Sequence, residues 1–380
     1  MSIRIRRGVV AQKIIVGLVV APGVTEKLGQ QLTAELPDIF IDEIDSNISW
    51  ETDLVVDPLT GFAETVDDIY NEITNYYQEK SWQYVIAITD LPMFVNGHVM
   101  ALDINNEQGV AVISYPSFGW RPIKKRMTNT IVSIIRNVHQ SNLADQDYDA
   151  NNHIKHTMNK QFPLAKVTKA KQYLDETESK HTRYIANSSI MGMFRLISGM
   201  TFANNPLKMM ISFSNIVAIA FTTGAFGMVF STMWQLANEF SMIRLFSISV
   251  IAILGMLLWI VMAHQLWEPN NNSRHKRIIW LYNLTTIMTL LVAIIIYYCV
   301  LYMLFLTAEV ILLPADFLGQ QVKLGHAAGL DLYLSIPWFA TSISTVAGAI
   351  GAGLLDDQRV KESTYGYRQR LRYNNKQHDL

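Results

Sequence analysis

The chain has one cysteine in 380 residues, Cys299, and it lies inside an apolar run. No disulfide framework and no cysteine-based zinc site can therefore be built within one chain. The signatures HExxH and GxSxG and the Walker loop are also missing, which removes the common zinc-protease, serine-hydrolase and P-loop readings. Excess charge is missing too, with 31 Lys plus Arg against 32 Asp plus Glu. That balance hides an asymmetry. Residues 1–150 carry 11 basic and 20 acidic side chains, and residues 151–380 carry 20 and 12. An acidic N-terminal half lacks the basic face that phosphate contacts require, so no nucleic-acid partner is expected. Charge is scarcest between residues 209 and 355, and that scarcity organises the rest.

Four segments there are long enough to cross a bilayer, which needs about 20 mostly apolar residues in a helix. They run over 209–234, 242–267, 278–309 and 332–355. The third can tilt or continue to Pro314. Only helices or closed barrels satisfy the backbone in lipid, so the reading is four transmembrane helices. Trp234, Trp267, Trp280 and Trp338 fall near the expected helix ends, as interfacial anchors do. Lys and Arg set the orientation. The approach to the first helix, the loop with Arg274, Lys276 and Arg277, and the tail with Arg359, Lys361, Arg368, Arg370, Arg372 and Lys376 are all basic. With four crossings these share one side. Both termini are then expected in the cytoplasm of a multi-pass cell-membrane protein. The run after Arg4, Arg6 and Arg7 is interrupted by Gln12 and Lys13 and reads as a buried strand, not a signal peptide.

Residues 1–145 read as a cytoplasmic α/β domain. KIIVGLVVA (13–21) is a β-branched run suited to a strand covered on both faces. Helices are expected over 25–36, 61–80 and 127–143, and strands over 50–56 and 82–89. A short edge strand is expected at 39–44, and a hairpin from 98–103 and 109–114. Alternation of strand and helix predicts a mostly parallel sheet with an antiparallel hairpin, beside an all-α four-helix transmembrane domain over 209–355. Residues 146–208 read as a polar linker followed by an apolar helix at 188–203 (SSIMGMFRLISGMTFA) lying in the membrane interface, and 356–380 as a basic cytoplasmic tail.

In open α/β sheets ligands bind beyond the carboxyl ends of the parallel strands. Those ends carry Gly23 and Thr25, then Asp57 and Thr60, then Thr89 and Asp90, then Ser114 and Ser117. These eight are the candidate ligand-binding residues. Asp57 and Asp90 are suited to a hydrated Mg²⁺ or to general-base work. Asp, Thr, Ser and Gly are equally what turns and helix caps use. No motif names a cofactor or a resident metal. His153 and His156 lie one helical turn apart with no third ligand nearby, and His139 ends a helix it is expected to cap. GAIGAG (348–353) has the spacing of a nucleotide loop but lies inside the fourth helix, with no strand before it. Ser344, Gly348 and Ala352 instead form a small-residue stripe for close helix packing. Ser212, Asn215, Asn283, Thr285 and Thr286 are expected to bond between helices. Glu309 and Asp331 are expected at helix ends, which leaves the spans without mid-membrane charge.

The layout, with the strings ITDLP (88–92) and SYPSFG (114–119), resembles a group of bacterial membrane proteins with an N-terminal α/β head and four transmembrane helices. The resemblance implies an architecture and no activity. ITDLP followed by VAVISYPSFG is also similar to the strand region of metzincin-like proteases, but the zinc-binding helix those enzymes need is missing. Three function classes follow. The first is a membrane-anchored sensor or scaffold whose head binds a small ligand or a protein partner. The second is a membrane-bound enzyme using the strand-end cluster. The third is a small transporter or channel component. Expected partners are the lipid bilayer and a protein partner or second copy packed through the transmembrane helices.

Overall fold

The computed structural model describes residues 13–57, 66–120, 122–143, 150–162, 166–170, 181–269, 276–352, 360, 361, 364–368 and 371. The chain divides into two compact units, one of residues 1–203 with 371–380 and one of residues 204–370.

The first unit is a mixed α/β sheet region. Its strands are β1 (Lys13–Val20), β2 (Ser49–Val56), β3 (Tyr84–Thr89), β4 (Met93–Val95), β5 (His98–Asn105), β6 (Val110–Ser114), β7 (Val167–Lys169) and β8 (His181–Ala186). Its helices are α1 (Val24–Glu43), α2 (Val66–Lys80), α3 (Ile123–Leu143), α4 (Ala150–Gln161) and α5 (Ser189–Ala203), with a 3-10 turn at Tyr115–Phe118. The order is β2-β1-β3-β6-β5-β8-β7, with β4 on β5. Pairs β1–β2, β1–β3 and β3–β6 are parallel, and the pairs from β6 outward are antiparallel. Every residue of β3 is buried, as a strand covered on both faces requires. Phe40 of α1 and His139 of α3 both pack on Trp50 of β2, so α1 and α3 share one face. Ile69, Tyr70 and Ile73 of α2 pack with Val19, Ala87 and Val112 on the other.

Two expectations are corrected. The edge strand expected at 39–44 is the last part of α1, which runs through Pro37 to Glu43. Leu28, Leu32, Leu36 and Phe40 continue one buried stripe at four-residue spacing, and its burial outweighs the proline. The stretch expected from 146 as a polar linker contains α4 and two unforeseen strands, β7 and β8, while α5 is the apolar helix expected at 188–203. β8 alternates, with Thr182, Tyr184 and Ala186 buried between half-exposed His181, Arg183 and Ile185. Three buried residues in a polar context are too few to stand out by period. The sheet is accordingly less parallel than expected.

The second unit is helical: α6 (Pro206–Ser212), α7 (Ser214–Met228), α8 (Ser231–Glu239), α9 (Met242–Ala263), α10 (Lys276–Leu312), α11 (Ala315–Gln321) and α12 (Leu330–Ala352). Three of these, α9, α10 and α12, are long and apolar enough to cross a membrane. Residues 209–234, expected as one helix, are broken into α6, α7 and α8, and α6 bends by 56° against α7 at Phe213. Phe213 leaves helical geometry (φ −83°, ψ 4°) while its ring is fully buried. α10 has 37 residues, about 55 Å of helix, which exceeds a hydrocarbon core of about 30 Å. Its outer surface and that of α9 are apolar: Ile243, Phe246, Ile251, Leu258 and Met262 of α9 are exposed, as are Met303 and Ile311 of α10. The small-residue stripe packs as expected where it is described. A Cβ on Gly348 of α12 would lie 3.3 Å from the Ala220 Cβ of α7, and one on Gly224 would strike Phe305 and Ser344. The side chain of Ala352 lies outside the described residues.

Candidate functional site

The parallel register carries the expected strand ends to one edge. Val20 pairs with Val56 and with Ile88, and Thr89 pairs with Ser114. Asp57, Thr89, Asp90 and Ser114 thus line the carboxyl edge, with Thr25 in the first turn of α1 and Ser117 in the 3-10 turn. The chain reverses its direction across the sheet between β1 and β3, the usual position of a ligand crevice. Thr60 lies outside the described residues.

The side chains at this edge are buried, and most bond to the chain itself. The Thr25 hydroxyl donates to the Ala21 carbonyl. Ser114 donates to the Leu91 carbonyl at 2.8 Å, and Ser117 to the Ser114 carbonyl at 2.6 Å. Thr89 Oγ1 accepts the Leu91 N–H at 3.1 Å. Gly23 caps α1 at φ 98°, a left-handed conformation that favours glycine, and its N–H donates to the Glu26 carboxylate at 3.2 Å. The anion suited to that helix start is therefore the chain's own Glu26. Asp57 and Asp90 are 2 % and 4 % exposed. Asp57 accepts from the Tyr76 hydroxyl; burial first, and that bond second, push the Tyr76 phenol well above its usual range. The edge is a set of tied loops around two buried carboxylates.

A second polar group escapes sequence reasoning. Asp103 of β5 is fully buried, with Arg183 Nε at 3.2 Å and His181 Nδ1 at 3.4 Å, both from β8. The Tyr70 ring stands edge-on to His181 at 4.7 Å between centroids, and Asn105 Nδ2 approaches His181 Nε2 at 3.5 Å. The sequence signal is a pair of alternations, Asp-Ile-Asn in β5 and His-Thr-Arg in β8. It becomes a cluster only once those strands pair. The group binds β8 to the sheet and places an imidazole, a carboxylate and a phenol ring together.

Several single expectations are corrected. His139 is no helix cap: α3 continues to Leu143, and the ring is buried with Nδ1 3.1 Å from the Tyr84 hydroxyl. Trp234 and Trp338 are not interfacial anchors. Trp234 is buried and donates to the Met228 carbonyl at 2.8 Å, while Trp338 donates to Ser249 Oγ at 2.6 Å. Trp267 and Trp280 are exposed, as expected. Glu309 lies in the last turn of α10, the helix end expected for it, and is buried there; among the described residues neither carboxylate oxygen has a hydrogen-bond partner. Of the expected interhelical polar residues, Asn283 accepts the Glu268 N–H at 2.8 Å and donates to its carbonyl at 3.1 Å, and Thr285 and Thr286 are buried. Ser212 donates within its own helix, to the Lys208 carbonyl at 3.4 Å, and Asn215 is exposed. A polar core not foreseen joins α9, α10 and α12 through Ser249, Tyr298 and Ser342. Among the described residues no group of three His, Cys, Asp or Glu is placed to hold a metal ion.

Compared with known proteins, the chain matches no family model, no curated protein and no solved structure.

Proposed function

We propose that the chain is a multi-pass membrane protein that crosses the bilayer four times, α6 and α7 counting as one broken span, and holds its α/β unit in the cytoplasm as a ligand- or partner-binding module, a sensor or scaffold. One observation carries the membrane part. The helical unit buries Ser249, Thr285, Thr289, Thr341 and Thr345 while large apolar side chains such as Ile243, Phe246, Leu258 and Ile311 cover its outer surface. In water that arrangement costs about 25 cal/mol for each Å² of apolar surface left exposed; in lipid it costs nothing. Basic residues in the three segments assigned to one side support the orientation.

The strand-end geometry favours binding over catalysis. Among the described residues the hydroxyls of Thr25, Thr89, Ser114 and Ser117 hold backbone carbonyls or amides, so none of these four is an activated nucleophile. The crevice between the ends of β1 and β3, with Asp57 and Asp90, is the place for a small polar ligand. Purified full-length protein in detergent, screened against nucleotides, sugar phosphates and Mg²⁺, is expected to melt at higher temperature with one of them, and Asp90→Asn to remove that shift. No shift with any leaves the scaffold role alone. A fluorescent reporter on the C-terminus is expected to mature inside the cell, and an alkaline-phosphatase fusion there to stay inactive. The reverse result overturns the orientation.

A further inference from the structure

α5 is apolar on both faces, with Leu196 and Met200 buried on the inner one. Its one charged residue, Arg195, is 8 % exposed and points inward, toward the 3-10 turn and the end of α4, while Ile190 and Phe194 are 80 % and 72 % exposed. A helix bathed in water places its charge outward and its large apolar groups inward. The inward guanidinium is held by backbone. Nε donates to the Ser117 carbonyl at 3.1 Å, Nη2 donates to the carbonyls of Phe118 at 2.7 Å and Gln161 at 2.6 Å, and the group stacks on the Phe162 ring at 4.2 Å. Burial, with Arg126 adding to it, lowers this guanidinium to about 9. The fold accepts that cost and still leaves Ile190, Met191 and Phe194 outside. Apolar surface at both the inner and the outer face means that water is not the solvent on the outer one.

The ends of this face carry further features of one kind. At the C-terminal end Phe202 stacks on Trp120, ring centroids 4.9 Å apart and nearly parallel, and Trp120 is 57 % exposed. The Trp120 carbonyl accepts from Arg126 at 2.8 Å, and exposed Lys125 lies next to it in the first turn of α3. That turn holds Lys124, Lys125 and Arg126 and no acidic residue, the charge sign that a helix start disfavours. At the N-terminal end exposed Lys166 is tied beside α5 by the Asn187 N–H, which donates to its carbonyl at 2.8 Å. The chain leaves α5 at Ala203 and enters the apolar helices through Asn204 and Asn205.

We infer that the outer face of α5, with Trp120, docks on the surface of the bilayer, Ile190, Met191 and Phe194 entering the acyl boundary and Lys125, Arg126 and Lys166 meeting anionic headgroups. The inference rests on the membrane reading above and adds a second attachment, made by the α/β unit itself. An apolar face flanked by cations and an exposed tryptophan suits the headgroup layer, where an amphipathic helix lies about 5–10 Å deep. Lysines near an anionic surface add electrostatic attraction to the apolar contact. The attachment restrains the α/β unit at the membrane, so its ligand crevice faces a fixed direction.

The test uses the full chain in nanodiscs of phosphatidylcholine with a third phosphatidylglycerol. In a Cys299→Ser background, single cysteines replace Ile190, Phe194, Leu258 on α9 and Lys80 on α2, each carrying a nitroxide. Positions 190 and 194 are expected to be several-fold more accessible to oxygen than to a water-soluble nickel chelate. Position 258 should show the same preference at greater depth, and position 80 the reverse. If 190 and 194 behave like 80 while 258 reports lipid, the docking face is overturned and the membrane reading stands. If 258 also reports water, the membrane reading itself fails. If both reagents are excluded at 190 and 194, a protein surface covers α5 and the inference fails. Lys125→Glu with Lys166→Glu is expected to make 190 and 194 shallower in anionic discs only; an unchanged depth overturns the role of charge.

Discussion

The carbonyl of Thr33, which Pro37 leaves without its helical donor, accepts the hydroxyl of Thr52 at 2.7 Å. Proline lacks the N–H that would reach back four residues, so an interior proline frees one carbonyl. Here the donor arrives from β2, the strand against which α1 packs. The repair lets α1 run on to Glu43 and bury Phe40.

Thr52→Val is therefore expected to cost about 1 kcal/mol, the net worth of one such bond. In a Pro37→Ala background the helix supplies its own donor, and the same change is expected to cost much less. Thermal denaturation of the four combinations gives the coupling; equal costs in both backgrounds would show that Thr52 does not serve the proline.

That pair also marks how far sequence reasoning reaches. β1, β3 and the alternation of strand and helix were readable because β-branched runs and four-residue spacing are local signals. Proline is normally a helix boundary, so the local pattern ends α1 at Leu36; its rescue comes from residue 52, which no local pattern joins to residue 33. β8 was hidden for the same reason, since its partner β5 lies nearly eighty residues earlier. The described strand ends meet at one edge because parallel strands bring their carboxyl ends together whatever their sequence. The Asp103 cluster needed the β5–β8 pairing, and the inward turn of Arg195 needed the carbonyls of a turn formed at 115–118.

His139 should make the α/β unit acid-sensitive. Its imidazole lies against Trp50 and Tyr84, and among the described residues Nε2 has no hydrogen-bond partner. Burial lowers its pKa below the ordinary 6.5, with Asp45 opposing in part. The folded state then takes up a proton less readily than the unfolded chain. Stability from this source is complete above pH 6.5 and is lost as pH falls from there through the depressed folded value. His139→Phe is expected to flatten this part of the stability profile between pH 7 and pH 5, measured by tryptophan fluorescence in denaturant. A wild-type slope in the variant would assign the acid sensitivity to other groups.

Ser249 is the hub of the helical unit. Its Oγ receives the Trp338 indole N–H and lies 2.9 Å from the Tyr298 hydroxyl and 3.1 Å from Ser342 Oγ. Interhelical bonds in membranes average about 0.6 kcal/mol, so a hub shared by three helices is expected to cost about 1–2 kcal/mol when removed. Ser249→Ala should lower the melting temperature in detergent. Adding Tyr298→Phe should cost less than its separate effect, because the two hydroxyls share Ser342. Strict additivity would mean that the network is not coupled.

Asp103 is the anchor that holds β8 to β5. Its carboxylate is fully buried, while its partners His181 and Arg183 have side chains about one-fifth exposed. Removing the carboxylate lets those partners turn partly toward water, so the loss should fall below the roughly 3–5 kcal/mol of a fully buried pair. Asp103→Asn keeps the shape and is expected to cost about 1–3 kcal/mol. The double variant Asp103→Leu with Arg183→Met, which replaces charge by packing, should recover part of that. Hydrogen exchange locates the effect. Faster exchange confined to β7, β8 and the adjoining part of β5 identifies a clamp on the sheet edge, because β1, β2 and β3 pair without those strands. Faster exchange across the whole sheet would instead make Asp103 part of the common core, and the β7–β8 edge would then be no separate cooperative segment.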